Sequence, residues 1–275
     1  MKPNCESINA ICPIHAASER DRPLLTGTGT LLDFGKARFL VTAAHVYDEY
    51  SQRHMALYIP AGTMGALVEL SGEAFSTSIP KSGKRSDDRL DLSFVCLNVV
   101  LADEVAKARY FLPFLLIDVN DRLKPASHYM FTGFPANRDR AKYGQKKVAS
   151  KRYGYTGKTI STKRMHDLGI NQNTHIAVEF NRMETLDENN RPAPFPVPYG
   201  MSGGAVWTGD GDHSSWFSTA PARLVGIGIE VSENQNVLVA VRIHVVLAAI
   251  AKAYPSLSEL IPFRQGFTAS VNIRD

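Results

Sequence analysis

The chain has 275 residues, of which 44% are hydrophobic and 21% are charged, and its formal net charge is +4. This composition is typical of a globular protein with one or two domains, and so small a net charge gives little general attraction to nucleic acid or anionic membranes. No stretch approaches the 18 or so apolar residues of a membrane helix, so the sequence predicts no membrane partner.

The N-terminal residues and the cysteines predict a cytoplasmic protein. The first ten residues are polar, and Glu6 stands where a secretory signal would need an apolar run. Cys5, Cys12 and Cys96 are odd in number and widely spaced, unlike a disulfide framework. Cys5 and Cys12 with His15 suggest a metal site, but two thiols and one imidazole fall short of a zinc pattern. We therefore expect no metal and no cofactor.

The first half of the chain consists mainly of short apolar runs separated by turn residues, a pattern typical of β-strands. Strands are predicted at residues 25–32, 37–42, 57–59, 66–70 and 90–97, with a further apolar segment at 110–119. Gly35 can take the positive φ of a hairpin turn between the first two strands. The polar residues 71–89 predict a long exposed loop.

The second half repeats this pattern and ends in a helix. Strands are predicted at residues 128–134, 146–162, 175–180, 224–231 and 237–241. Residues 243–253 predict the only firm helix, because apolar residues recur there at three- and four-residue steps before Pro255. The fold class predicted is therefore all-β, as a sandwich or barrel.

A serine within a glycine-rich turn is the strongest local signal for chemistry. Ser202 lies in Gly200-Met201-Ser202-Gly203-Gly204 and is followed by an apolar run. Small neighbours leave the hydroxyl exposed and let two backbone N–H groups point at a shared oxyanion position. A plain glycine-rich turn of a β protein explains the same five residues equally well.

A histidine and an aspartate each stand at the end of a predicted strand. His45 follows the strand through two alanines, which lets the chain turn and place the imidazole over a cleft. Asp91 opens a buried strand, where a carboxylate needs a partner such as an imidazole N–H. A structural histidine and a strand-capping aspartate are the alternatives. Asp87 and Asp88 are expected to be solvated charges in the preceding loop.

Four stretches taken together point to one family. Gly27-Thr28-Gly29-Thr30-Leu31-Leu32 and residues 41–45, 91–94 and 200–204, in this order, resemble the trypsin-like (chymotrypsin-fold, S1-type) serine peptidases. The order histidine, aspartate, serine is that of this family, whereas α/β-hydrolases and subtilisins have other orders.

The resemblance implies two Greek-key, six-stranded β-barrels with the active site in the cleft between them. Residues 1–120 would form the first lobe with His45 and Asp91, residues 121–242 the second lobe with Ser202, and residues 243–275 a C-terminal helix and tail. The implied activity is that of a serine endopeptidase, a hydrolase acting through an acyl-enzyme on a protein or peptide substrate.

The implied roles at the site are those of a catalytic triad and its oxyanion hole. Ser202 is the nucleophile, His45 its base, and Asp91 orients the imidazole, while the N–H groups of Gly200 and Ser202 form the oxyanion hole. The primary pocket would be formed by Pro196, Ile229, Glu230 and Val231, which favours an apolar side chain and leaves a basic one open through Glu230.

One position departs from the secreted members of the family. Met201 stands where they carry the aspartate that pairs with a new N-terminal amine after cleavage, so the chain resembles the bacterial and intracellular members. We expect a site that forms without cleavage, or one that is ordered by a regulatory protein partner.

A basic segment supplies the rival hypothesis. Residues 137–158 hold eight Lys or Arg against one acid, with Tyr143, Tyr153 and Tyr155 interleaved, a composition that can bind single-stranded nucleic acid. A solvated β-hairpin is the preferred interpretation. The alternative to an enzyme is a catalytically silent module of the same fold that binds a protein partner or RNA.

Overall fold

The computed structural model describes residues 7–17, 23–63, 66–121, 125–141, 148–185, 191–208, 222–232, 234–261 and 271–274. Within these residues the strands, in chain order, are β1 Ile11–Ala17, β2 Pro23–Asp33, β3 Arg38–Ala43, β4 Leu57–Ala61, β5 Ala66–Glu69, β6 Gly72–Thr77, β7 Leu92–Leu97, β8 Leu112–Pro113, β9 His128–Gly133, β10 Asp139–Ala141, β11 Val148–Ser150, β12 Tyr153–Lys158, β13 His175–Glu179, β14 Ala205–Thr208, β15 Arg223–Ser232, β16 Val237–Arg242 and β17 Ile273–Arg274. The α-helices are α1 Ala44–Ser51, α2 Val99–Ala106, α3 Thr162–Asp167 and α4 Ile243–Ala253.

Two curled antiparallel sheets make up the molecule. The first has the order β17-β6-β7-β3-β2-β1-β4-β5, with the short β8 parallel to β2. The second has the order β12-β9-β14-β15-β16-β13, and β10 and β11 form a separate two-stranded sheet. The predicted all-β class with two β-barrels and a C-terminal helix is confirmed, and each barrel takes the form of a curled half-barrel sheet.

The hairpin between β2 and β3 forms as its turn residues predict. Gly35 has φ of 75°, a conformation that costs a glycine little, and its N–H donates to Asp33 Oδ1 at 2.6 Å. Leu31 pairs with Leu40 in the hairpin, and both are fully buried. The hairpin therefore brings β3, and the helix that follows it, into the centre of the first sheet.

The prediction of one long loop at residues 71–89 is wrong in its first part, because β6 lies there and pairs with β7. Its first two residues, Gly72 and Glu73, are exposed and not apolar, so this part of the strand shows no apolar alternation. The predicted segment at 110–119 shortens to β8 and a 3-10 turn, and that at 146–162 holds two strands, β11 and β12.

Helix α4 occupies the predicted residues, and three further helices accompany it in the described chain. Helix α2 escaped prediction because Val99 and Val100, which open it, are exposed apolar residues, although Asn98 caps it by accepting from Leu101 N at 2.8 Å. None of the helices in the described part is long and apolar enough to cross a membrane.

The described residues form three buried apolar clusters, of which the two larger ones position the sheets. The larger one contains side chains from β1, β2, β3 and β7 and continues into α4, where Val246, Ala249 and Ile250 are fully buried. The second lies against the second sheet and includes Phe131, Phe195 and Met201. Burial of this apolar surface is the main favourable contribution to folding, and it sets the frame in which the polar site residues lie.

Candidate active site

His45 lies at the junction between β3 and α1. The strand enters the helix through Ala43, whose ψ of 143° is still extended, and His45 is the second helical residue. The Ala44 N–H donates to the Asp91 carbonyl at 2.8 Å. This bond joins the first turn of α1 to the residue that precedes β7.

Asp91 contacts both the backbone and the ring of His45. Its Oδ1 accepts the His45 N–H at 2.9 Å, and its Oδ2 lies 2.5 Å from His45 Nδ1. The φ of Asp91 is 41°, in the left-handed region that aspartate tolerates better than most residues because its short side chain bonds locally. The carboxylate therefore fixes the imidazole orientation at two points.

The pKa of the imidazole is raised by this arrangement. Burial alone would lower the pKa of His45, but the hydrogen bond and the charge of Asp91, together with the charge of Glu49, outweigh it. Burial raises the pKa of Asp91, and its hydrogen bond with His45 opposes that rise. A proton gained by His45 is thus stabilised by its carboxylate partner.

Arg85 ties the loop that carries Asp91 to the helix that carries His45. Its guanidinium pairs with Asp48, three residues after His45 on α1, and with Asp88 at 2.6 Å. The side chains of Arg85, Asp48 and Asp88 are only 14%, 7% and 9% exposed. The prediction that Asp88 is a solvated charge is therefore wrong.

The loop of Ser202 takes a conformation that its glycines allow. Gly200 has φ of 92° and Gly203 has φ of 87°, a region that side chains with a Cβ rarely adopt. A Cβ on Gly203 would lie 2.0 Å from the carbonyl oxygen of Thr28, so strand β2 of the first sheet also excludes a side chain at this position. Local sequence and tertiary contact both require glycine here.

Hydrogen bonds to two carbonyl oxygens orient the peptide groups that carry the N–H groups of Gly200 and Ser202. The Tyr199 carbonyl accepts from Ala136 N at 2.8 Å, and the Met201 carbonyl accepts from Gly204 N at 3.0 Å. In a trans peptide the N–H points opposite to the carbonyl, so the N–H groups of Gly200 and Ser202 point away from these bonds. Within the described residues, neither N–H donates to a backbone carbonyl.

Seven of the eight predicted site residues line two adjoining cavities. One, of about 520 Å³, is lined by His45, Gly200, Ser202, Ile229, Glu230 and Val231. The other, of about 410 Å³, is lined by His45, Asp91 and Glu230, together with residues of the 85–89 loop. Among the described residues, no hydrogen bond joins Ser202 Oγ to His45.

A third, smaller cavity of about 20 Å³ lies beside Ser202. Its wall is mostly apolar and includes Ile229 and Val231. Pro196 is buried, but Phe195 and Pro198, its neighbours, line the cavity instead. Pro196, the eighth predicted site residue, is therefore not among the residues that line this cavity.

The described chain contains no group of three His, Cys, Asp or Glu side chains that could hold a metal. Cys12 is fully buried, and burial raises the pKa of its thiol to about 12, unfavourable for a thiolate ligand. Cys5, its proposed companion, lies outside the described residues.

The basic segment is only partly described, because residues 142–147, with Tyr143, lie outside the described chain. The rings of Tyr153 and Tyr155 pack edge to face against Phe195, at centroid distances of 6.1 and 5.5 Å. Both rings thus pack against the apolar cluster of the second sheet, which leaves less of their surface for base stacking.

Two kinds of contributor to the site escaped the sequence interpretation. Arg85 lies in a polar loop, and its partner Asp48 is 37 residues away, so no local pattern connects them. Thr28 belongs to the quoted Gly-Thr-Gly-Thr stretch, but its hydroxyl bonds to Gly200, 172 residues away. A threonine in a strand is also an ordinary β-former, so its hydroxyl gave no separate signal.

Comparison with known proteins places the chain by its fold. No protein-family model matches the sequence, and no curated protein sequence matches it. Among solved structures, the chain is similar to neuropsin, a serine protease expressed in the limbic system of mouse brain. The two share 13% sequence identity with a TM-score of 0.50, over 90% of this chain and 95% of neuropsin. The chain has the fold of a serine protease.

Proposed function

We propose that the chain is a serine endopeptidase of the trypsin-like kind, with His45, Asp91 and Ser202 as its catalytic residues. The observation that carries the proposal is the carboxylate of Asp91 on His45 Nδ1 at 2.5 Å, with the same histidine and Ser202 lining one cavity. The serine-protease fold, with a distant likeness to neuropsin, supports it.

In the proposed reaction each of these groups has one role. Ser202 Oγ attacks the carbonyl carbon of the scissile peptide and passes its proton to His45 Nε2, while Asp91 holds the Nδ1–H. The N–H groups of Gly200 and Ser202 bind the resulting oxyanion, an effect worth about 3 to 4 kcal/mol per donor. His45 then protonates the leaving amine, and water hydrolyses the acyl-enzyme at Ser202.

The cavity beside Ser202 supports a preference for a small apolar side chain at the cleaved bond. At about 20 Å³ it has room for little more than one water molecule, and its wall includes Phe131, Phe195 and Leu238. Glu230 is exposed and borders all three cavities, so a basic side chain elsewhere in the substrate gains from its charge.

A peptide library tests this function and its specificity together. The wild-type protein is expected to cleave after small apolar residues, as read by mass spectrometry of the products. Ser202→Ala should abolish cleavage, whereas Ser82→Ala, which changes an exposed serine outside the three cavities, should leave it intact. No cleavage by the folded wild-type chain, or undiminished cleavage by Ser202→Ala, would contradict the proposal.

A catalytically silent binding module is the second candidate, and one observation favours it. Among the described residues, Ser202 Oγ makes no hydrogen bond to the imidazole of His45. Such bonds are often long in unliganded enzymes and tighten when substrate binds, so we rank this candidate below the enzyme. A protein or peptide that binds the cleft and remains uncut would establish it.

A cytoplasmic location is part of the proposal. The two cysteines in the described residues, Cys12 and Cys96, are free thiols, as a reducing compartment requires.

A further inference from the structure

The loop of Ser202 is held from the first lobe by two buried threonines. Thr28 Oγ1 donates to the Gly200 carbonyl at 2.8 Å, and Thr30 Oγ1 donates to the Gly203 carbonyl at 3.0 Å. The Thr28 N–H also donates to the Ser202 carbonyl at 2.9 Å. Both threonines are fully buried, so these hydrogen bonds are shielded from competing water.

The direction of the Thr28 bond is set by a second partner. The Phe134 N–H donates to Thr28 Oγ1 at 3.0 Å. A hydroxyl has a single proton, and a backbone N–H can only donate. The Thr28 proton is therefore available to the Gly200 carbonyl. The hydroxyl thus links Phe134, which directly follows β9, to the loop of Ser202.

The peptide on the other side of Gly200 is fixed as well. The Tyr199 carbonyl accepts from Ala136 N, which turns the Gly200 N–H the opposite way. Gly200 has φ of 92°, and glycine has low barriers to other backbone conformations, so its sequence alone does not prevent a peptide flip. The hydrogen bonds to the carbonyls of Tyr199 and Gly200 oppose such a flip.

The side chain of Met201 completes this anchoring. Met201 is 8% exposed and packs in the apolar cluster of the second lobe with Phe131 and Phe195. The loop thus gains apolar contact on one side and threonine hydroxyls on the other, and no charged group of the described chain is among these contacts.

We propose that Thr28 is a positioning residue, whose hydroxyl fixes the Gly200–Met201 peptide and thereby helps the adjoining Tyr199–Gly200 peptide to keep the Gly200 N–H facing the site before any substrate or partner arrives. This inference rests on the proposed function. Its consequence is regulatory: the oxyanion-binding loop is held by contacts within this chain, so that neither cleavage nor a partner is needed to order it.

The rate of labelling by a fluorophosphonate probe tests the inference, with Thr28→Val and Thr28→Ala as the disrupting variants. Loss of one oxyanion donor slows catalysis by about 10² to 10³, so we expect the maximal labelling rate to fall about 10- to 100-fold. The probe concentration at half-maximal rate should change little, because the cavity walls stay in place. Thr28→Ser keeps the hydroxyl and should restore the rate to near that of wild type.

Thr159→Val is the matched control, because it removes a threonine hydroxyl that donates to the Ala126 carbonyl at 2.9 Å, outside the three cavities. Thermal melting identifies any variant that fails to fold, and Thr28→Ala adds no methyl group that could prevent folding. If folded Thr28→Ala were labelled as fast as the wild type, the inference would be overturned and the proposed function would stand. The same holds if Thr28→Ser were labelled as slowly as Thr28→Ala. An unlabelled wild type would overturn the proposed function and the inference with it.

Discussion

The two sides of the cleft are held by different kinds of interaction. On the side of the first sheet, His45 and Asp91 lie on segments that the ion pairs of Arg85 with Asp48 and Asp88 join. On the opposite side, the loop of Ser202 is held by neutral hydroxyl and backbone hydrogen bonds and by an apolar side chain.

This difference assigns a distinct sensitivity to each side. The energy of an ion pair depends on pH and on the charges nearby, whereas a buried neutral hydrogen bond depends mainly on its geometry. We therefore expect changes of charge to alter the basicity of His45, and changes of shape to alter the serine loop. Substitutions on the charged side should differ widely in their effects, which we expect to be largest at Asp91.

Asp91→Asn should have the largest effect on the charged side. Asparagine keeps the size of the side chain and tolerates the φ of 41°, but it cannot hold the imidazole tautomer that accepts the serine proton. We expect fluorophosphonate labelling to slow about 10⁴-fold, the size known for this change in serine proteases. Asp87→Asn changes an exposed aspartate nearby and is the control. If Asp91→Asn slowed labelling by less than about tenfold, Asp91 would have no part in the mechanism.

Arg85→Met should have an intermediate effect. It leaves Asp48 and Asp88 buried without this partner, and breaking a buried ion pair costs about 3 to 5 kcal/mol of folding free energy. We expect a large drop in melting temperature and slower labelling of the protein that remains folded. Arg53→Met removes an exposed ion pair with Glu49 on α1 and should cost under about 1 kcal/mol. Equal costs in the two variants would refute the role of Arg85.

The pH dependence of labelling should show the smallest change. Neutral His45 is the base, and its pKa is raised, so labelling should increase with pH through a midpoint above the ordinary imidazole value of about 6.5. Glu49→Gln removes a charge that raises this pKa and should lower the midpoint by a few tenths of a pH unit, since Glu49 is half exposed. A midpoint that moves upward would contradict the assignment.

The parts of the fold that were predictable are those with a local pattern. The hairpin of β2 and β3 and helix α4 follow from turn residues and apolar spacing, and both lie where the sequence places them. Strand β6 begins with the exposed residues Gly72 and Glu73, so no apolar alternation in the sequence marks its pairing with β7. The stability of paired strands depends on both segments, and the sequence of one segment does not reveal its partner.

The candidate site divides in the same way. His45 and Ser202 stand out because small residues and glycines surround them, which is a local requirement of a tight turn beside a cleft. Arg85 and Thr28 act through partners 37 and 172 residues away, and each is of an ordinary type for its own segment. Such supporting residues become visible only when the fold has brought the segments together.

The central claim is that Ser202 is a nucleophile activated by His45. Labelling of the purified chain with a fluorophosphonate probe tests it most directly, because the probe bonds only to a serine with an activating neighbour. We predict that the wild-type chain is labelled on Ser202, as located by mass spectrometry, and that both His45→Ala and Ser202→Ala remain unlabelled. Labelling that persists in folded Ser202→Ala, or its absence in the folded wild-type chain, would contradict the account.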